Sequence, residues 1–547
     1  MEKPSGTSAD AGGDAPGRAA APPWLGLGRA SDRLGPWSLY FIAKLVLAWL
    51  GLVGLHALGN LVLLATLAGP LADPRWRRLR PWLGVPAAAA LLYGESWLPG
   101  FSRVLSQAGL LSSFSADYLA ELAGRFVSVP VVAALAVAAA AWFVAARFVR
   151  VDAWVALALV ATAFVGPRAA PGTPAPAAAA ASPVQAADPE ARLRDFLEAE
   201  SKRTVAFPRP PEGSAPFDLL FVHVCSLSWD DLRATGQAEH PFLKGLDIVL
   251  TRFNAVSTYS GPSAIRFLRA GCGQQAHRAL YEPAPQACYL MPALEGAGFE
   301  TRLVLGHDGH FDDFLAFVRA QGVTAAPMPL DGIAAPQRSF DGSRIRDDLA
   351  VLSRWLALRA KSPAPRTATY FNSTSLHDGN RLADDPGKAS RDTYPKRLAT
   401  LLDGLGEFSA RLAKSGRRVV LVLVPEHGAA LRGDAMQIPG LREIPSPAIT
   451  LVPVGLKVIG PGARREGEAL RVDGPTSYLA LSRIVARMLE KPPFGDAGFR
   501  PADYAADLPA TDFVSEGETA ALVEAGGRRY LRLEREPWRE YRESAGP

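Results

Sequence analysis

Hydrophobic residues fall into two regimes along the chain, divided near Gly166. Before that point they form long apolar blocks at 37–57, 58–71, 82–97, 129–149 and 153–165. A helix needs about 20 apolar residues to cross a bilayer, so these blocks predict membrane spans, although two of them are short. His56, Gly59 and Asn60 punctuate the junction of the first two, which could otherwise be one long kinked helix; five spans are expected. Beyond Phe217 the pattern changes to strand-length apolar runs alternating with amphipathic stretches, as a parallel α/β sheet requires. Strands are expected at 219–224, 301–305, 367–372, 419–424 and 448–454, and helices at 243–250, 264–270, 350–360, 394–414 and 477–489. The tail 519–541, alternating around Gly526-Gly527, predicts a hairpin.

Composition refines the boundaries. Residues 1–36 are rich in Gly, Ala and Pro and read as a disordered leader. A transmembrane region is expected over 37–168, and a cleaved signal peptide fits poorly because further apolar blocks follow the first. An Ala/Pro linker spans 169–216. The stretch 166–187 that leads into it has too few large apolar groups for a core, and Asp188-Pro189-Glu190 starts a short helix over 191–201. The remaining residues, 217–547, form the expected catalytic domain.

Charge adds orientation. Arg29 and Arg33 precede the first block, Arg75, Arg77, Arg78 and Arg80 follow the second, and Arg147 and Arg150 separate the last two. Five spans put all three clusters on one side, which the retention of basic loops makes cytoplasmic. Everything after Arg168 is then outside. The net charge of +5 needs no nucleic acid to explain it, since no basic stripe interleaved with aromatics occurs in the outer domain. Of the three cysteines, Cys272 and Cys288 flank a short segment holding Pro283 and Pro285. A bridge there could contribute about 3 kcal/mol in an oxidising compartment. Cys225 is left over, and an unpaired external thiol requires a reason.

That reason lies at the strand ends, where open α/β sheets bind ligands. Cys225 follows one expected strand, Ser375-Leu376-His377-Asp378-Gly379-Asn380 another and Glu426-His427 a third. Taken singly, each is an ordinary core or structural residue. Together a thiolate, an imidazole and a carboxylate are donors that suit zinc better than magnesium or calcium. Ser260 precedes Gly261-Pro262-Ser263 and a helical run, so it is expected where helix amides receive an anion. Serving simply as a cap is the alternative role for Ser260, and Ser257, Thr258 and Ser263 are rival hydroxyls. His377 is a candidate proton carrier or phosphate contact, because imidazole in general titrates near neutrality. Arg442 is either a phosphate clamp or a surface ion-pair partner. His307, Asp308 and His310 are as well explained by a charged turn. Trp229 and Tyr289 are candidates for stacking on sugar rings or for the core.

The segments Val224-Cys225-Ser226-Leu227-Ser228-Trp229-Asp230-Asp231, Tyr259-Ser260-Gly261-Pro262-Ser263-Ala264-Ile265-Arg266, Leu376-His377-Asp378-Gly379-Asn380 and Val424-Pro425-Glu426-His427-Gly428-Ala429 carry a resemblance. They resemble the cellulose phosphoethanolamine transferases encoded with bacterial cellulose synthase, within the alkaline phosphatase and sulfatase superfamily. The resemblance covers all but the leader and the Ala/Pro tether. Glu426 and Cys225 stand where most of the superfamily has aspartate or another carboxylate, substitutions that mark the cellulose branch. The resemblance implies an alkaline phosphatase-like α/β fold after an all-α transmembrane domain, in the bacterial inner membrane with the catalytic domain in the periplasm. It further implies that Cys225, Ser260, Glu426 and His427 surround one zinc ion, that Tyr259, His377 and Arg442 line the active site, and that Cys272 pairs with Cys288. The implied donor is phosphatidylethanolamine, and the acceptor is the glucose 6-hydroxyl of nascent cellulose. A covalent phosphoethanolamine adduct on Ser260 links the two, beside the cellulose synthase complex as partner.

Three other readings use the same residues: transfer to lipid A or another envelope glycan, a mainly structural subunit of the secretion complex, and simple hydrolysis. A sulfatase Cys/Ser-x-Pro-x-Arg motif would need arginine where Ala264 stands, which weakens the last.

Overall fold

The computed structural model describes residues 34–49, 53–69, 73–96, 114–126, 129–145, 151–164, 188–434, 436–534 and 536–543. The expected leader up to residue 33, the tether 166–187 and Arg29, Arg33, Arg147, Arg150 and Arg168 lie outside the described residues. The chain divides into two compact units, Met1–Leu98 with Val127–Ala177, and Pro99–Phe126 with Ala178–Pro547.

In the first unit, helices Trp37–Trp49, Ala57–Ala68, Pro74–Glu95, Val129–Ala145 and Val151–Phe164 coincide with the five apolar blocks. Among the described residues no helix is both long and apolar enough to cross a membrane. The longest of these five, Pro74–Glu95, carries Arg75, Arg77, Arg78 and Arg80 in its first two turns, upstream of the block expected at 82–97. Phe41, Leu63, Leu67, Val155 and Leu159 bury one apolar seam, while Trp49, Leu58, Val62, Val137 and Trp154 remain exposed on the outside. Within that seam Lys44 Nζ donates to Asn60 Oδ1 over 2.7 Å and pairs with Glu95. Asn60 Nδ2 also donates to Glu95 Oε1, at 2.6 Å, so the polar groups satisfy one another, as burial demands.

The second unit is built on a seven-stranded sheet with strands β1 (Asp218–Val224), β2 (Ile248–Asn254), β3 (Glu300–Leu305), β4 (Thr367–Ser373), β5 (Val419–Pro425), β6 (Leu451–Ile459) and β7 (Leu470–Thr476) in the order β7-β2-β6-β5-β1-β4-β3. Apolar clusters cover both faces of the sheet. A second sheet holds β8 (Val514–Glu516), β9 (Ala520–Ala525), β10 (Arg528–Leu533) and β11 (Arg539–Tyr541). The expected tail hairpin is β9–β10 within it.

Three expectations need correction. The central sheet is mixed, because β6 runs antiparallel to both β2 and β5. Residues 243–250 are not a helix: the short helix Pro241–Lys244 ends at Gly245, and β2 begins at Ile248. The spacing of Leu243, Leu246, Val249 and Leu250 imitates a helix. A strand buried on both faces shows a continuous apolar run with no alternation to betray it. Residues 448–450 lie in the helical turn Pro447–Thr450, so the strand there starts at Leu451. The helix Ala116–Phe126, which falls inside the region 37–168, belongs to the second unit. Cys272 and Cys288 are disulfide-bonded.

One buried ion pair fixes the sheet end remote from the strand tips. Asp218, at the start of β1, accepts from Arg359 Nη2 at 3.0 Å, from the Thr367 amide at 2.8 Å and from Arg417 Nε at 3.2 Å. It thereby ties β1 to the starts of β4 and β5 and to helix Asp348–Ala360. Arg359→Ala strands the buried carboxylate, an effect of about 3–5 kcal/mol. Chemical denaturation of the purified chain is expected to show a loss of that size.

Candidate metal centre

Cys225, Glu426 and His427 meet because β1, β4 and β5 are parallel neighbours in matched register. Val224 pairs with Ser373 on one side and Pro425 on the other, so the residues just beyond the three strands emerge level. The Cys225 amide donates to Ser373 O at 2.9 Å, the Glu426 amide to Val224 O at 2.8 Å and the Leu227 amide to His427 O at 2.6 Å. The three ligand atoms lie within 4.8 Å of one another, all buried.

Ser260 arrives from the other direction, as the first residue of helix Ser260–Leu268 after β2. Its Oγ is 3.3 Å from Cys225 Sγ. Cys225 Sγ is 3.8 Å from His427 Nε2, which is 3.9 Å from Glu426 Oε2. A tetrahedral zinc with bonds of about 2.0–2.3 Å separates its ligands by about 3.3–3.8 Å, close to these spacings. Glu426 Oε2 is buried and no hydrogen-bond partner meets it. His427 Nδ1 lies 2.9 Å from Gly428 O; donating that proton leaves Nε2 its lone pair, as in metal-binding histidines generally. The donor set fits a divalent ion, and its thiol favours zinc over the all-oxygen metals.

The electrostatics favour this fit. Burial pushes the Cys225 thiol up to about 12 and the Glu426 carboxyl up to about 7. It also drives His427 well below its ordinary value, with the Arg442 charge adding to the effect. Without a cation the pocket therefore holds protons on its acids and none on its imidazole.

The family model described as "Cellulose biosynthesis protein BcsG C-terminal domain" matches residues 173–538, and that for the BcsG N-terminal domain matches 37–164. The chain belongs to the BcsG family. It is 39% identical to "Cellulose biosynthesis protein BcsG" of Salmonella typhimurium over 93% of this chain and 96% of that one, and 38% identical to the Escherichia coli K12 protein over the same shares. A solved structure of an alkaline phosphatase superfamily protein from Vibrio parahaemolyticus overlays with a TM-score of 0.47 at 13% identity, covering 64% of this chain and 87% of that one.

Around the centre of this BcsG-family chain, Arg442 is buried. Its Nη1 donates to Ser226 Oγ at 3.3 Å and lies 3.2 Å from His427 Nδ1. Its guanidinium stacks over Tyr259, whose hydroxyl donates to Glu443 Oε1 at 2.7 Å. His377 Nδ1 lies 2.6 Å from Asp378 O. Burial and the Arg442 charge lower His377 to about 4, which keeps it neutral. Among the rival hydroxyls, Ser257 accepts from Arg266 Nε, and Thr258 and Ser263 are buried. Trp229 packs against the core, and Tyr289 is engaged by the Ala284 amide and by Arg269.

Sequence reasoning missed a supporting chain. His307 Nδ1 accepts from the Gly309 amide at 3.1 Å, so Nε2 carries the proton and donates to Asn372 Oδ1 at 2.9 Å. Asn372 Nδ2 donates in turn to Glu426 Oε1 at 2.6 Å. A polar residue in the apolar run of β4 was the signal for Asn372; the place of His307 just after β3 was its signal, but its role depends on β3 lying beside β4. His310 stays exposed, near Asp308.

Two outcomes follow. Asn372→Ala lowers metal affinity by about 10–100-fold with the donor set intact, measured by competition with a chelator. Metal uptake releases two protons at pH 6, from Cys225 and Glu426, and one at pH 8, where Glu426 is already ionised. Affinity consequently rises with pH, more steeply below 7 than above. Calorimetry in buffers of differing ionisation enthalpy counts those protons.

Proposed function

We propose that this chain transfers phosphoethanolamine from phosphatidylethanolamine to the glucose 6-hydroxyls of nascent cellulose through a covalent adduct on Ser260. One observation carries the reading: a thiol, a carboxylate and an imidazole converge within 4.8 Å, with a serine hydroxyl 3.3 Å from the sulfur at a helix start. The cellulose part rests on the relatives' shared name, and the donor on the resemblance of the motifs.

Cys225, Glu426, His427 and Ser260 would hold a zinc ion, which when bound would lower the hydroxyl's pKa and steady phosphate oxygens. Ser260 Oγ attacks phosphorus, the bond to the diacylglycerol oxygen breaks, and that oxygen takes up a proton. The glucose 6-hydroxyl then attacks the same phosphorus, its proton leaves, and the Ser260–phosphorus bond breaks. Neutral His377 takes the Ser260 proton and gives it to the leaving diacylglycerol oxygen, then takes the glucose 6-hydroxyl proton and gives it to Ser260 Oγ, since its lowered pKa leaves a lone pair available across the physiological range. The leading amides of helix Ser260–Leu268 and the Arg442 guanidinium face the charge that spreads over the phosphoryl oxygens.

Placement in the bacterial inner membrane, with the second unit in the periplasm, belongs to the same reading. The exposed Trp49, Leu58, Val62, Val137 and Trp154 of the amino-terminal helices support a lipid surrounding. The Cys272–Cys288 bond suits an oxidising compartment. A lipid donor and a polymer leaving the synthase complex would meet there.

Phosphorus NMR of cellulose from cells expressing the native chain is expected to show a phosphodiester signal that Ser260→Ala removes. Mass spectrometry of the native chain incubated with donor alone is expected to show phosphoethanolamine on Ser260. A signal that persists in Ser260→Ala overturns the nucleophile. An adduct without modified cellulose moves the acceptor to another envelope glycan.

A further inference from the structure

We infer that the helix Ala116–Phe126, encoded before the linker, is a strap that positions His377, with Tyr118 and Glu121 as its positioning residues. The inference rests on the reading of His377 as the proton carrier.

By sequence this helix lies within the BcsG N-terminal domain match, 37–164. By contact it belongs to the unit that carries the metal centre. Tyr118, buried, donates from its hydroxyl to Asp378 Oδ2 at 3.2 Å. Its ring packs 5.6 Å from that of Phe340, and Phe340 in turn lies 5.1 Å from the imidazole of His377. The Ser115 amide donates to Phe340 O at 2.9 Å, pinning the strap at that ring. Glu121 pairs with Arg381 at 2.5 Å and accepts from the Ser390 amide at 3.3 Å, just beyond the same turn.

The turn is shaped to receive the helix. Gly379 has a φ of +81°, and a Cβ there would come within 2.6 Å of Phe340 Cβ and 2.8 Å of the Tyr118 ring. A side chain is therefore excluded both by backbone conformation and by the strap. From the opposite side Arg397 Nη1 donates to His377 O at 3.2 Å and Asn380 Nδ2 donates to Thr374 O at 2.8 Å. His377 is thus held between a framework of the catalytic unit and a segment that arrives from the far side of the linker. An ångström of displacement at a proton-transferring group costs about a hundredfold in rate, so the contact has catalytic weight.

The test uses the full chain in detergent, a chromogenic phosphoethanolamine ester, metal analysis and hydrogen exchange. Glu121→Arg and Arg381→Glu are each expected to lower kcat by about tenfold or more, with KM and zinc content unchanged and faster exchange at the amides of 377–380. Combining the two restores the pair with reversed charges and is expected to recover most of the rate. Tyr118→Phe keeps the ring and removes the bond to Asp378, so it reports on the contact even if the charge variants fold poorly; a fall of about threefold is expected. Single variants that turn over within about twofold of the native chain, or a double variant no better than the singles, overturn the strap. His377→Ala separates the two levels. If it turns over normally, the assignment of His377 falls and the strap with it. If it is inactive while Glu121→Arg and Tyr118→Phe are silent, only the strap falls.

Discussion

Matched register among three parallel strands is the constraint on which the rest of this structure depends. Cys225 and Glu426 are 201 positions apart in the chain, yet the pairing of Val224 with both Ser373 and Pro425 places them side by side. A slip of one residue would turn every side chain to the opposite face and separate thiol from imidazole. The Asp218 network at the remote end of the sheet resists such a slip, because it clamps β1, β4 and β5 by charge-assisted bonds in a buried setting. The continuous burial of β1, β4 and β5 on both faces adds a second lock.

That alignment creates an electrostatic problem as well as a site. A thiol, a carboxyl and an imidazole are buried together, and each is pushed towards its neutral form. Structures do not retain such a cluster for stability, since apolar residues of similar volume would pack more favourably. A divalent cation reverses the balance by favouring the ionised thiolate and carboxylate and the unprotonated imidazole. The chain His307–Asn372–Glu426 fixes one carboxylate oxygen and leaves the other buried without a hydrogen-bond partner, free to serve as a ligand.

The sequence revealed the parts of this arrangement that are local. Strand-length apolar runs followed by Cys225, by Ser375 to Asn380 and by Glu426-His427 were visible because each run is bounded by residues with metal-binding or proton-carrying side chains. Ser260 was visible through the Gly-Pro that follows it, though it occupies the first helical position, with Tyr259 as the cap. What stayed hidden depends on which strands become neighbours. The reversal of β6, the relay through His307 and the burial of Arg442 against Ser226 all follow from sheet order, which no periodicity encodes. β2 was misread for a related reason: Ile248, Val249 and Leu250 are all buried, so alternation was absent and the leucine spacing prevailed. The helix Ala116–Phe126 was hidden differently, because its neighbours in sequence are apolar blocks while its partners in space lie beyond the linker.

Backbone strain shows how tightly the centre is set. Ser226 and Val256 both adopt left-handed conformations, with φ of 61° and 69°, an arrangement rare for any residue other than glycine and most of all for a β-branched one. Ser226 follows Cys225, and Val256 opens the loop that delivers Ser260. Such conformations cost about 1–3 kcal/mol each and persist only where the surroundings over-determine them. Here they do: the Tyr394 hydroxyl donates to Ser226 O at 2.6 Å, while the Val256 amide donates to Asn254 Oδ1 at 2.9 Å and Val256 O accepts from the Glu516 amide at 3.2 Å. Glycine would remove the strain but would also widen the range of conformations open to both loops. The strain is the cost of holding the Ser260 hydroxyl at one position beside the thiol. The two left-handed residues thus set the approach of Ser260 to the thiol, as strand register sets the meeting of Cys225, Glu426 and His427.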